Sequence, residues 1–158
     1  MARITLRQLL DHAAEHGYAV PAFNISNMEQ GLAVMQAASA VDAPVILQAS
    51  RGARAYAGDR VLARLIDGLC ETYPEIPVCM HLDHGNGLPT CATAIQNGFT
   101  SVMMDGSLKA DAKTPADYDY NVEIAERVSR RNCRTSSTIS AARRRIPLVC
   151  QSKRSCAA

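Results

Sequence analysis

The sequence predicts an α/β fold built on a parallel sheet, and three observations carry that prediction. Short β-rich apolar runs alternate with amphipathic stretches of helical period through most of the 158 residues. The strand-like runs are near-continuously apolar, as strands in a helix-covered parallel sheet are. Polar residues gather where each run hands over to its loop: Asn24, Ser50 and Arg51, Asp83 and His84, and Asp105 to Ser107. A closed barrel of strand–helix units carries its active site on that face, but a doubly wound open sheet also binds ligands there. No Gly-x-Gly-x-x-Gly follows the first strand, which counts against the dinucleotide-binding version alone.

The elements follow in order. Thr5 to Gln8 reads as a capping box, and Leu6, Leu9, Leu10, Ala13 and Ala14 share one helical face behind it. Ala19 to Ile25 reads as a strand. Met28 to Val41 is a helix capped by Asn27, and Pro44 to Ser50 is a second, buried strand. Leu62, Leu65, Ile66 and Leu69 mark the next helix, which Pro74 ends. A strand over Val78 to His84 follows. Thr90 to Gln96 is a short helix stopped by Asn97 and Gly98, and Ser101 to Asp105 is a fourth strand. Thr114 opens the last helix as a cap, with Pro115 at its first position and Asp117 in its first turn. An opening helix and four strand–helix units result.

Val78 to Asn86 is the segment richest in chemistry. An apolar run after Pro77 ends in a turn glycine and delivers His81, Asp83 and His84 to one point. Neighbours on a strand face opposite ways, so Asp83 and His84 should diverge. At a frayed strand end both can reach one cleft, the imidazole as a metal ligand and the carboxylate as a proton carrier. A surface turn that happens to hold two histidines is the competing reading, and the motif alone does not exclude it.

Four segments together are more specific. Val20 to Ile25 (Val-Pro-Ala-Phe-Asn-Ile), Ala43 to Ser50 (Ala-Pro-Val-Ile-Leu-Gln-Ala-Ser), Pro77 to Gly85 (Pro-Val-Cys-Met-His-Leu-Asp-His-Gly) and Gly98 to Ser107 (Gly-Phe-Thr-Ser-Val-Met-Met-Asp-Gly-Ser) are collinear. In them, residues 1 to about 129 resemble the N-terminal half of a class II, zinc-dependent fructose-bisphosphate aldolase. The resemblance implies four strand–helix units of a (β/α)8 TIM barrel. It also implies zinc-dependent reversible cleavage of fructose 1,6-bisphosphate to glycerone phosphate and glyceraldehyde 3-phosphate. Tagatose-bisphosphate aldolases share much of this half, so a tagatose-cleaving relative is the alternative.

By that resemblance His84 binds the catalytic zinc, which acts as a Lewis acid on the ketone carbonyl, and Asp83 moves the proton of the substrate hydroxyl. Asp105 matches a position that holds a second metal in some relatives; fixing the Asp-Gly-Ser turn is its other reading. Ser50 matches a substrate-phosphate contact, and Asn24 lies where it would orient substrate or Ser50. Both could equally satisfy loop backbone groups. His81, on the face of Asp83, is expected to pack or support rather than to ligate. Arg51 and Arg54 are phosphate attractors or solvated charges, and they are left out of the site.

The composition breaks near residue 130. Residues 1–129 hold 9 Lys/Arg against 15 acids, a formal charge of −6, whereas residues 130–158 hold 8 Lys/Arg and no acid, +8. Three of the six cysteines (Cys133, Cys150, Cys156) lie in this second part, which shows no clean period beyond Ile146 to Cys150. The family's Glu-Gly-Glu-type continuation is missing. The expectation is an aldolase domain over 1–129 and a non-family, disordered basic tail over 130–158, produced by a reading-frame change. Only His84 of the family's catalytic zinc ligands is then present, so the isolated chain is expected to bind zinc poorly and to be inactive. The free sides of its first and fourth strands would favour self-association into a homo-oligomer.

Composition bounds the remaining classes. No 18-residue apolar run predicts a membrane span, and Asp11 and Glu15 within an amphipathic helix do not suit a secretory signal. The cysteines show no Cys-x-x-Cys pair, so reduced thiols in the cytoplasm are expected. A dead enzyme fragment whose basic tail (Arg143 to Arg145, Lys153, Arg154) binds nucleic acid is the runner-up. Two Phe, five Tyr and no Trp offer that reading few stacking surfaces.

Overall fold

The computed structural model describes residues 3–111, 113–135 and 148–149. Thr5 caps α1 (Leu6–His16): its hydroxyl accepts the Gln8 N–H while the Gln8 side chain accepts the Thr5 N–H, the reciprocal pairing the sequence predicts. Gly17, at φ 69°, ends the helix in the left-handed region that glycine enters without penalty. Then follow β1 (Ala22–Asn24), α2 (Met28–Ala40, capped by Asn27), β2 (Val45–Ser50), α3 (Arg51–Ala57) and α4 (Asp59–Thr72). β3 (Val78–Gly85), α5 (Leu88–Gln96), β4 (Ser101–Met104), α6 (Tyr118–Thr135) and β5 (Leu148–Val149) complete the order.

All neighbouring strands pair in parallel, in the order β1-β2-β3-β4-β5. The outer face of the sheet buries Val78, Met80 and Leu82 of β3 with Leu47, Leu62, Ile66, Phe99 and Val128 in one core under the helices. Each such side chain, fully buried, contributes roughly 1.5–3 kcal/mol. The inner face changes character along the strands. At the strand starts Ile46 and Cys79 are covered by Leu6 and Leu9 of α1. One step on, Gln48 is level with His81, and His81 with Ser101; a further step on, Ser50 is level with Asp83. The period of two thus delivers apolar side chains to one end of the sheet and polar ones to the other.

Three expectations are corrected. α3 was not foreseen: Ser50 caps it, its hydroxyl accepting the Ala53 N–H. The last helix starts at Tyr118 rather than at Thr114. Pro115 instead bridges Leu108, Thr114 donates to Asp111, and Asp117 accepts the Tyr120 N–H as the cap. The fourth strand is not a free edge, because β5 pairs with it at Val102 and Met103. The basic clusters Arg143 to Arg145 and Lys153 with Arg154, and also Cys150 and Cys156, lie outside the described residues.

Candidate active site at the strand ends

β3 carries Asp83 and His84 to the same strand end, and its backbone turns His84 into the cleft there. Asp83 is in register on the inner face, opposite Ser50. His84 would point outward if the strand stayed regular. Instead the pairing with β4 shifts between Leu82 and Gly85, and His84 takes φ 52°, a left-handed conformation uncommon for a residue with a side chain. Gly85 permits this turn to pack closely: a Cβ there would lie 2.9 Å from Cys91 Sγ and 2.9 Å from the Met103 carbonyl.

The polar groups form two hydrogen-bonded sets that meet at Asp83 and His84. The Asn24 amide donates to Asp83 Oδ2 at 3.1 Å. Asp83 Oδ1 stands 3.6 Å from His84 Nε2, near but beyond a hydrogen bond. His84 Nδ1 meets Asp105 Oδ2 at 2.8 Å. Ser107 donates to Asp105 Oδ1 through both its backbone N–H, at 3.0 Å, and its hydroxyl, at 2.6 Å. Burial pushes the Asp105 carboxyl up, but the hydrogen bonds from Ser107 and His84 outweigh it and hold the group below its ordinary value. Asp105 therefore stands as a carboxylate that orients the imidazole, the partner a metal-binding histidine usually has. The Asp83 side chain is largely buried, while that of His84 is 58% exposed and accessible from the cleft.

His81 lies beneath Asp83 on the same face. It is buried, and its Nδ1 is 2.9 Å from Ser101 Oγ. Burial depresses its pKa to about 4, so it is a neutral, packed imidazole at ordinary pH.

A cleft of about 240 Å³ opens beside these groups, lined by Ser50, Arg51, Gly52, His84, Asn86, Asp105, Leu108 and Lys109. Ser50, His84 and Asp105 thus share one opening, whereas Asp83 and its partner Asn24 do not line it. Asn24 was expected to orient substrate or Ser50; its visible partner is Asp83, across 59 residues of sequence. Lys109 was missed, although a cation two residues past Ser107 in a strand-end loop is the signal that would have found it. Arg54 is removed from the cleft altogether, being buried in an ion pair with Asp59.

The donor set falls short of a zinc centre. A catalytic zinc takes three protein ligands and keeps one position open. Among the described residues no group of three or more His, Cys, Asp or Glu is placed to hold a metal. Of the four histidines in the sequence, His81 is packed on Ser101, and His12 and His16 lie on α1, which covers the opposite end of the sheet. The buried thiols Cys79 and Cys91 are pushed up to about 11 by burial, away from the thiolate a metal needs. The residues present supply one oriented imidazole.

A parallel sheet whose strand ends carry a carboxylate, an imidazole and a hydroxyl beside an open cleft defines an enzyme-type α/β scaffold. The profile of the family fructose-bisphosphate aldolase class-II matches residues 4–139. Fructose-bisphosphate aldolase 2 of Cereibacter sphaeroides is 76% identical over 129 residues, which are 82% of this chain and 36% of that protein. Fructose-bisphosphate aldolase of Rhizobium meliloti (strain 1021) is 74% identical over 130 residues, with the same shares. Among solved structures, the YdjI aldolase of Escherichia coli K12 superposes with a TM-score of 0.76 at 22% identity, over 92% of this chain and 50% of that one. Fructose-bisphosphate aldolase of Campylobacter jejuni gives 0.69 at 24% identity, over 93% and 46%. These two likenesses bear on the fold: the sheet corresponds to about half of an aldolase barrel. The chain belongs to the class-II fructose-bisphosphate aldolase family, and it spans about a third of the length of the curated relatives it matches.

Proposed function

We propose that this chain carries the first part of an aldolase active site, acting on fructose 1,6-bisphosphate, and that its described residues do not complete the site. The observation that carries the reading is two hydrogen-bonded groups side by side at the strand ends, Asn24–Asp83 and His84–Asp105–Ser107, beside a cleft that Arg51 and Lys109 make basic. Asp83 is the proton carrier for the substrate hydroxyl, with one oxygen held by Asn24 and the other facing His84. His84 is the zinc-facing imidazole, its ring fixed by Asp105. The Ser50 hydroxyl, beside Arg51 and Lys109, suits a substrate phosphate. Of the four histidines only His84 lines the cleft, so further zinc donors would come from a second polypeptide segment. We place the domain division at about residue 129, where the basic composition begins, while the family match itself runs on to residue 139. The free, buried thiols of Cys70, Cys79 and Cys91 suit a reducing compartment such as the cytoplasm.

A coupled cleavage assay with fructose 1,6-bisphosphate, tagatose 1,6-bisphosphate, added zinc and a chelator control tests this reading. The folded chain alone should give no turnover. Adding a polypeptide that spans the remaining part of the Cereibacter relative should restore chelator-sensitive cleavage, preferentially of the fructose ester. In the restored complex, Asp83→Ala should lower kcat by at least about 100-fold. Chelator-sensitive turnover by the chain alone would overturn the incomplete-site reading. Restored turnover indifferent to Asp83→Ala would overturn the proton-carrier assignment.

A further inference from the structure

The end of the sheet opposite His84 holds a second pair of imidazoles. α1 buries Leu6, Leu9 and Ala13 and turns His12 and His16 outward, one turn apart on the same side of the helix. The two rings stack with centroids 4.0 Å apart and planes within 16° of each other. Their nitrogens are differentiated. His16 Nδ1 lies 2.9 Å from the His12 carbonyl oxygen, which can only accept, so Nδ1 carries the proton and Nε2 keeps its lone pair. His12 Nδ1 lies 2.7 Å from the hydroxyl of Tyr18, which the left-handed turn at Gly17 folds back against the ring edge-on. The Tyr18 hydroxyl can accept from Nδ1–H, and in that tautomer the second Nε2 keeps its lone pair as well. Neither Nε2 has a hydrogen-bond partner among the described residues.

We propose that His12 and His16 form a two-imidazole site for a divalent first-row transition cation, separate from the strand-end cleft. Two observations carry it independently: the close stacked placement of two exposed imidazoles, and the outer hydrogen bonds that hold each ring by Nδ1. Such outer partners fix the tautomer and ring orientation of metal-binding histidines. The lone pairs of stacked rings lie in near-parallel planes, so both Nε2 atoms reach one ion when the rings tilt out of the stack toward each other, and water fills the remaining positions. Imidazole donors favour Cu²⁺ most, with Zn²⁺ and Ni²⁺ weaker, and give Mg²⁺ and Ca²⁺ no purchase. The cation would clamp the last turn and a half of the helix that seals the starts of β2 and β3. It binds only the folded arrangement, so it raises the stability of the chain.

The test is titration of the whole chain with Cu²⁺, then Zn²⁺ and Ca²⁺, followed by calorimetry, by copper electron paramagnetic resonance and by thermal unfolding. Wild type should show a Cu²⁺ site with nitrogen hyperfine coupling and a raised Tm, and no response to Ca²⁺. His12→Gln and His16→Gln, both exposed positions, should each weaken that site by about tenfold or more and remove the Tm shift, while Tyr18→Phe weakens it less. His84→Gln should leave it unchanged. Equal copper affinity in wild type and His16→Gln would overturn the proposal, as would loss of the nitrogen-coupled signal in His84→Gln alone. Neither outcome bears on the aldolase assay, which tests the opposite end of the sheet.

Discussion

His84 sits in a conformation its side chain disfavours, and that strain explains how two adjacent strand residues come to lie side by side. A regular strand would keep the imidazole on the helix side of the sheet, whereas φ 52° swings it onto Asp105. Left-handed backbone costs a residue with a Cβ roughly 1–2 kcal/mol, and a β-branched one more. Comparing His84→Gly with His84→Val isolates this cost, because both lose the hydrogen bond to Asp105. The glycine variant should be the more stable by about 1–2 kcal/mol in urea denaturation. Equal stabilities would mean that residue 84 is not held left-handed in solution. His81 makes a second prediction. Burial lowers its folded pKa to about 4 against an ordinary 6.5, so between those values the unfolded chain binds the proton that the folded chain refuses. Stability should therefore be fully present above pH 6.5 and fall as pH drops toward 4, by at most about 3 kcal/mol. Urea midpoints from pH 4 to 7 check this, and His81→Asn should flatten the slope. An unchanged slope would place the acid sensitivity elsewhere. Neither property is visible in the string His-Leu-Asp-His: one depends on a bulge, the other on the depth at which Ser101 meets the ring.

Short elements with nonlocal partners are what pattern reading missed. α1 and α2 were legible because each has a capping residue and, in α1, a periodic apolar face (Leu6, Leu9, Ala13). α3 was not, since Arg-Gly-Ala-Arg-Ala-Tyr-Ala offers two small buried or half-buried alanines and no apolar stripe. What holds α3 is Arg54. Its guanidinium donates to both oxygens of Asp59 at 3.0 and 2.8 Å, to the Thr90 carbonyl at 3.0 Å and to the Thr93 hydroxyl at 2.9 Å. It also lies 5.4 Å from the Phe99 ring centroid. One side chain thus ties α3 to α4 and α5, and α3 in turn carries Arg51 and Gly52 to the cleft. Arg54→Met should cost about 1–3 kcal/mol, since it unmakes these hydrogen bonds but leaves Asp59, 40% exposed, to water. Asp59→Asn should cost more, on the order of 3 kcal/mol, because it leaves the buried Arg54 charge without its counter-ion. The shift of the urea midpoint measures both; equal, small losses would mean that α3 is held by other contacts. The same nonlocality hid Asn24, whose tie to Asp83 no local spacing announces.

At the scale of the whole molecule the sheet is asymmetric. The outer face of β2, β3 and β4 is covered by helices, and β4 has β5 beside it. β1 pairs only with β2 among the described residues, and all three of its residues are exposed, Phe23 at 45%. The parallel order and the strand-end chemistry could be read from the alternation of runs, because burial on both faces leaves a continuous apolar signature. How the sheet ends could not, since an edge strand such as Ala22 to Asn24 differs from a central one by what lies beside it rather than by its own residues. An open edge with an exposed aromatic is a template for another chain, and native edges are blunted by charge. Phe23→Lys should therefore lower concentration-dependent self-association of the chain, measured by sedimentation velocity, while shifting the urea midpoint little. Phe23 contributes no residue-sized burial to either core cluster, so a large stability loss would show that its ring is covered in solution. Undiminished association with unchanged stability would move the contact surface away from β1, leaving the exposed Tyr118 and Val122 of α6 as the next face to charge.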